Sequence, residues 1–251
     1  MIWAWIGALF IGITLGLLGS GGSILTVPML VYLVGEPEKV AIAESLAVVG
    51  MISFFGCLPL AFKKKVHFRS ILYFGLPGML GTYGGAHLAK YVSGNFQLLI
   101  FAGTMLAASV MMFRDNKKKA NVADPPHQQV WKLLLEGLFV GVLTGFVGVG
   151  GGFVIVPALV LLGGLPIHLA VGTSLAIISM NSLTGFIKYL DVLGDLDLTI
   201  HWHLIAIFSV IGIIGSIVGK KVGNKVPQQK LKKGFALFLV IMGAYIIIMN
   251  V

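Results

Sequence analysis

"GSGGSILTVP", residues 19–28, lies within an otherwise apolar stretch, and "GVGGGFVIVP", residues 148–157, repeats it with the same spacing from glycines to proline. Small residues followed by a proline interrupt an ordinary membrane helix, because glycine and proline are the weakest helix formers. An interruption made twice, at equivalent places, belongs to the architecture rather than to local chance.

The surrounding composition sets the solvent. The chain is 57% hydrophobic and 11% charged, and apolar runs of span length follow one another along it, which predicts an all-α polytopic membrane protein. Uncharged segments cover about residues 2–34, 45–62, 70–89, 96–113, 137–164, 169–187, 201–219 and 234–251. "MIWAWIGALF" carries no basic residue before its apolar run, so no cleaved signal peptide is expected. A single cysteine, Cys57, excludes a disulfide within one chain, and no spacing of ligand residues suggests a metal site or another cofactor.

The net charge of +9 would suit nucleic acid if it were spread over one face. Instead, 15 of the 18 Lys and Arg fall in 63–69, 114–132 and 220–233, between apolar spans. That clustering is the positive-inside signature of cytoplasmic loops, and it excludes a nucleic-acid partner.

Shifting the first half by 129 residues aligns it with the second. From Leu9 to Gly56, 21 of 48 positions are then identical, among them Gly19/Gly148, Pro28/Pro157, Pro37/Pro166, Ser45/Ser174 and Ser53/Ser182. Apolar composition alone does not align glycines, prolines and serines, so the chain is internally duplicated. The expected units are a first transmembrane repeat at 1–113, a cytoplasmic linker at 114–131 and a second repeat at 132–251. Segments 2–34 and 137–164 exceed one upright span of about 30 Å yet fall short of two. Each is therefore expected to form two short helices meeting at the glycines, as a re-entrant loop or a tight hairpin. With that return, all three basic loops face the cytoplasm and residues 190–200 face outside. The halves then cross in opposite directions, as inverted repeats, each with a broken first segment and three transmembrane helices.

A broken helix in lipid leaves backbone groups unpaired, so such breaks persist where they face protein or a watery cavity. Glycine runs let successive N–H groups point into a concavity, and the helix beginning there adds positive dipole. Two such N-termini make an anion site without a buried Lys or Arg. The candidate substrate-binding residues are Gly19, Ser20, Gly21, Gly22, Ser23, Ser45, Gly148, Gly150, Gly151, Gly152, Thr173, Ser174 and Asn181. Close packing is the competing reading of small residues, and it is the one expected for Gly12, Gly16, Gly141 and Gly145 at four-residue spacing. Ser45 and Ser174 share one structural place, where each either meets a ligand or bonds back to its own helix. Glu44 stands where the other half has Thr173. It reads either as a proton carrier coupled to transport or as a solvated interfacial residue.

The duplicated G-x-G-G-[GS]-x4-P phrase, with "AESLA" (43–47) and "GTSLA" (172–176) after it, resembles the TauE/SafE family of bacterial membrane permeases. "GMLGTYGG" (78–85) and "GIIGSIVG" (212–219) extend the resemblance over nearly the whole chain. It implies a secondary transporter in the bacterial inner membrane for a sulfur-containing anion such as sulfite or an organosulfonate. The chain departs from the fuller pattern at Ser23 and Glu44. The expected partners are this small anion and the lipid bilayer, with a homo-oligomer left open. An anion channel with the same site is the first alternative. An intramembrane hydrolase with Ser20 as nucleophile and His87 as base is the second, although Val149 stands at the place equivalent to Ser20. No Walker-type phosphate loop is present.

Overall fold

The computed structural model describes residues 2–18, 21–114, 130–161, 163–223 and 228–250. Among them all regular structure is helical, and its order runs twice through the same five elements. In the first half these are α1 (Ile2–Leu18), α2 (residues 21–34), α3 (Glu38–Phe62), α4 (residues 68–91) and α5 (Gly94–Arg114). In the second they are α6 (Val130–Val147), α7 (Gly152–Leu161), α8 (Ile167–Gly194), α9 (Trp202–Gly223) and α10 (Gln228–Asn250). Both long first segments are thus broken at their glycines, as the sequence predicts. α2 is irregular, winding from a 3-10 turn (Gly21–Leu25) through an α turn to a π turn (Leu30–Val34). Among the described residues, four helices are long and apolar enough to cross a membrane: Glu38–Phe62, Val130–Val147, Leu169–Gly194 and Trp202–Lys221.

The boundary after each broken segment has the same local cause in both halves. Gly35 ends α2 in the left-handed region at φ +86°, and Gly164 stands in that region at φ +62° shortly after α7. The Glu36 and Leu165 N–H groups turn back to the Leu30 and Leu159 carbonyls. Pro37 and Pro166 then start α3 and α8 with φ of −55° and −56°, where a missing N–H is harmless.

Packing follows an exchange of the halves. α1 packs on α9 and α6 packs on α4, while α3 meets its own counterpart α8 and α5 meets α10. The first two pairs are backbone-to-backbone contacts. A Cβ on Gly12 would overlap the Gly212 carbonyl, and one on Gly16 the Ser216 carbonyl. In the other pair, Gly141 and Gly145 take the same places against Gly78 and Thr82. The return contacts also match: Gly215 and Gly219 against Leu9 and Ile13, Gly81 and Gly85 against Leu138 and Val142. Helix pairs in lipid gain no hydrophobic driving force, so close van der Waals contact along small residues must hold them. The packing reading of Gly12, Gly16, Gly141 and Gly145 therefore stands.

Polar contacts sort the connections into two ends. At one end, Lys90 Nζ donates to Asp195 at 2.7 Å and His201 Nδ1 lies 3.1 Å from Glu36. The Lys90 ammonium holds the Asp195 carboxyl below the usual carboxylate range. At the other end, the His67 N–H donates to Thr173 near the start of α8, and Lys220 lies within reach of the Lys63 and Lys65 charges. α3 begins at the first end and α8 at the second, so the two run in opposite directions. α4 and α9 do likewise. The outer surface is apolar, with Leu80 72% and Ile248 77% exposed, a surface suited to acyl chains rather than water.

Gly141→Ala is expected to lower the thermal unfolding midpoint of the detergent-solubilised protein, because its methyl would meet the Gly78 backbone. Gly103→Ala, where a Cβ meets nothing within 4 Å, is expected to leave the midpoint unchanged or raise it. Unfolding followed by intrinsic fluorescence compares the two.

Candidate functional site: the paired helix breaks

The second break is built from left-handed glycines. Gly148, Gly150 and Gly151 have φ of +81°, +67° and +65° before α7 starts at Gly152. At Gly150 two restrictions coincide. A side chain would be strained at this φ, and its Cβ would stand 2.8 Å from Val49 Cγ1 and 3.1 Å from Ser182 Oγ. The break is thereby wedged between α3 and α8. The first break differs in form, since Gly21 and Gly22 belong to the 3-10 turn that opens α2. Gly19 and Ser20 lie outside the described residues. The two breaks meet, because the 3-10 turn of α2 packs against α7.

Carbonyls exposed by the second break find partners from other elements. Ser45 Oγ on α3 donates to the Gly148 carbonyl. Gln97 Nε2 on α5 donates to the Phe146 carbonyl at 2.7 Å and to the Tyr189 hydroxyl at 3.0 Å. Both Gln97 and Tyr189 are fully buried. Sequence reasoning overlooked this pair, although a glutamine within the apolar segment 96–113 is itself a signal.

Ser45 and Ser174 occupy equivalent places and make different bonds. Ser45 reaches across to the other half's break, whereas Ser174 Oγ donates to the Val171 carbonyl of its own helix at 2.9 Å. Glu44 and Thr173 share one bonding role. Glu44 Oε1 accepts the His201 N–H and Thr173 Oγ1 accepts the His67 N–H, each at 2.9 Å and each at the head of a helix in the opposite half. Residue 44 thus holds α9 to α3 as residue 173 holds α4 to α8. His67 and His201, left as loop and span edge by the sequence, are the partners.

Several buried polar atoms around the breaks have no protein partner: the hydroxyls of Thr26, Ser53, Thr144 and Ser182, and both amide atoms of Asn181. Asn181 lies against Gly78, whose Cβ would stand 2.7 Å from its Nδ2. The first half places Ile52 against Gly212 at the corresponding point, so the amide is specific to the second half. A cavity of about 10 Å³, bordered by Thr144, Val147 and Gly151, adjoins the second break and has room for about one water. Ser23 is buried in the first break. Glu44 is the one charged residue that is fully buried among the described residues. His87 packs edge-on against Tyr91 at 5.6 Å.

A duplicated set of apolar helices, with two broken segments meeting inside, is an arrangement that membrane transporters use. The chain belongs to the sulfite exporter TauE/SafE family, which it matches over residues 4–246. It is 32% identical over 244 residues to a probable membrane transporter protein of Xylella fastidiosa strain Temecula1, covering 94% of this chain and 91% of that one. A probable membrane transporter protein of Methanocaldococcus jannaschii is 26% identical over 258 residues, covering 96% and 94% of the two chains. A third, from Bacillus subtilis, is 26% identical over 233 residues, covering 91% and 92%. No solved structure matches the chain.

Ser45→Ala leaves the Gly148 carbonyl without its donor and is expected to destabilise the protein by about 1–3 kcal/mol. Ser174→Ala removes only a bond within one helix turn and is expected to cost less. Denaturant unfolding in detergent measures the difference.

Proposed function

We propose that the chain is a secondary carrier of a small oxyanion, bound where the two broken segments meet near mid-membrane. The observation that carries this reading is the contact between the α2 turn and α7, ringed by buried neutral donors without protein partners. An anion entering there would meet the helix N-terminus at Gly150, Gly151 and Gly152, the α2 turn at Gly21, Gly22 and Ser23, and the Asn181 amide. Gly19 and Ser20 complete the first phrase. Ser45, Gly148, Thr173 and Ser174 support the walls from α3, the break and α8. No buried Lys or Arg is required, and a site without fixed positive charge can also release its ligand.

The family's description favours sulfite, and the resemblance read from the sequence extends the class to organosulfonates. The opposite running directions of α3 and α8, and of α4 and α9, support two inverted repeats. With the Lys63, Lys65 and Lys220 end inside, the Asp195 end faces outward, in the cytoplasmic membrane of a bacterium.

Proteoliposomes loaded with sulfite test the activity. External sulfite is expected to accelerate efflux by exchange, which a channel does not show. Gly150→Val, filling the break, is expected to abolish that exchange, and full exchange in a well-expressed variant would exclude the glycine break from the path. For the orientation, Asp195→Cys and Lys63→Cys are each made on a Cys57→Ser background. An impermeant thiol reagent is expected to label them from opposite sides of the membrane, and labelling from one side would overturn the arrangement.

A further inference from the structure

Glu36, Glu44 and His201 come from the loop after α2, from α3 and from the residue before α9, and they converge at the end of the molecule that carries Asp195. One ligand atom from each lies within 4.8 Å of the others. His201 Nδ1 stands 3.1 Å from Glu36 Oε2 and 3.7 Å from Glu44 Oε1. We propose that these three side chains bind a divalent first-row transition-metal ion, of which Zn²⁺ is the probe of choice. This inference does not rest on the anion reading above.

Three observations carry it. The first is an oxygen with nothing to bind. Glu44 is fully buried, and while its Oε1 accepts the His201 N–H, its Oε2 has no partner at all. A buried carboxylate oxygen left bare is costly, and a cation removes that cost. The N–H bond to Oε1 also fixes the carboxylate's direction, as an outer-shell donor does for a metal-binding carboxylate.

The second is charge and donor type. Two carboxylates face one imidazole; with both ionised the group is net negative even when His201 is protonated, and a divalent ion balances both carboxylates. Metal bonds of about 2.0–2.2 Å bring ligand atoms to separations of roughly 3–3.5 Å, which modest side-chain rotations here would reach. An imidazole among the ligands favours zinc and its neighbours over calcium or magnesium, which prefer oxygen. His201 is 47% exposed on its side chain, which leaves an entry path and a position for water. The His203 ring, 5.9 Å from that of His201, adds an imidazole at the rim.

The third is the duplication, which supplies an internal control. At the corresponding place in the other half stand Leu165, Thr173 and His67, with the same backbone bond from His67 to Thr173. There the imidazole Nδ1 pairs with Ser70 Oγ at 2.9 Å and neither carboxylate is present. The bonding frame is common to both ends, and the two carboxylates are confined to one.

The test uses the full chain, purified in detergent without a histidine tag and stripped with a chelator. Calorimetric titration is expected to show about one equivalent of Zn²⁺ bound, with a rise in the thermal unfolding midpoint. Glu36→Gln and His201→Asn are each expected to weaken binding at least about tenfold. Glu44→Gln retains an acceptor for the His201 N–H, so it is expected to stay folded while losing zinc. His67→Asn, at the other end, is expected to bind as the unmodified chain does. Absence of zinc binding in the unmodified chain would overturn the proposal. So would unchanged binding in the combined Glu36→Gln and His201→Asn variant.

Discussion

An interrupted helix within a bilayer presents backbone groups that lipid cannot satisfy, and the rest of the molecule is arranged around that demand. The second break exposes the Phe146 and Gly148 carbonyls, which receive hydrogen bonds from Gln97 and Ser45, side chains on two other helices. Such donors reach the break only if helices approach closely and keep their register. The glycine stripes of α1 with α9 and of α4 with α6 permit that approach, since any Cβ there would overlap a facing carbonyl. The opening phrase and the stripes are thus parts of one arrangement, with the stripes holding the frame in which a broken helix is tolerable.

The frame is shared between halves, but the chemistry placed on it is not. Asn181 replaces Ile52, Glu44 replaces Thr173 and Glu36 replaces Leu165, each on a matching backbone. In two pairs a polar or acidic residue stands opposite an apolar one, and in the third a carboxylate stands opposite a hydroxyl. A duplicated fold with unequal side chains can keep its geometry while its two ends and its two inner walls acquire different affinities.

Much of this was legible in the sequence for physical reasons. Apolar length identifies membrane helices, and glycine with proline at a fixed offset of 129 marks the breaks, because few residues other than glycine tolerate φ near +67° as at Gly150. The packing of Gly12, Gly16, Gly141 and Gly145 followed from spacing alone. The partners of Ser45 and Ser174 did not, since one shared place supports either a cross-half bond or a bond within the helix. Glu44 was visible as an asymmetry, but its partner His201 lies 157 residues away. Such contacts depend on which helices meet, and helix pairing in lipid is decided by small-residue surfaces that a linear pattern locates without matching. The meeting of Glu36 with His201 was hidden for the same reason, as no local spacing of ligands announces it.

The two helix-head anchors have a thermodynamic consequence. In a carrier whose halves were chemically identical, the state open to one side and the state open to the other would have equal free energy, and the empty protein would divide evenly between them. Here Thr173 with His67 guards one end and Glu44 with His201 the other, a hydroxyl against a carboxylate at matching points. In the carrier proposed above, that inequality would remove the degeneracy, and every 1.4 kcal/mol between the anchors would tilt the resting population about tenfold. A sequence duplicated for geometry would thereby give such a carrier a preferred direction in which to wait.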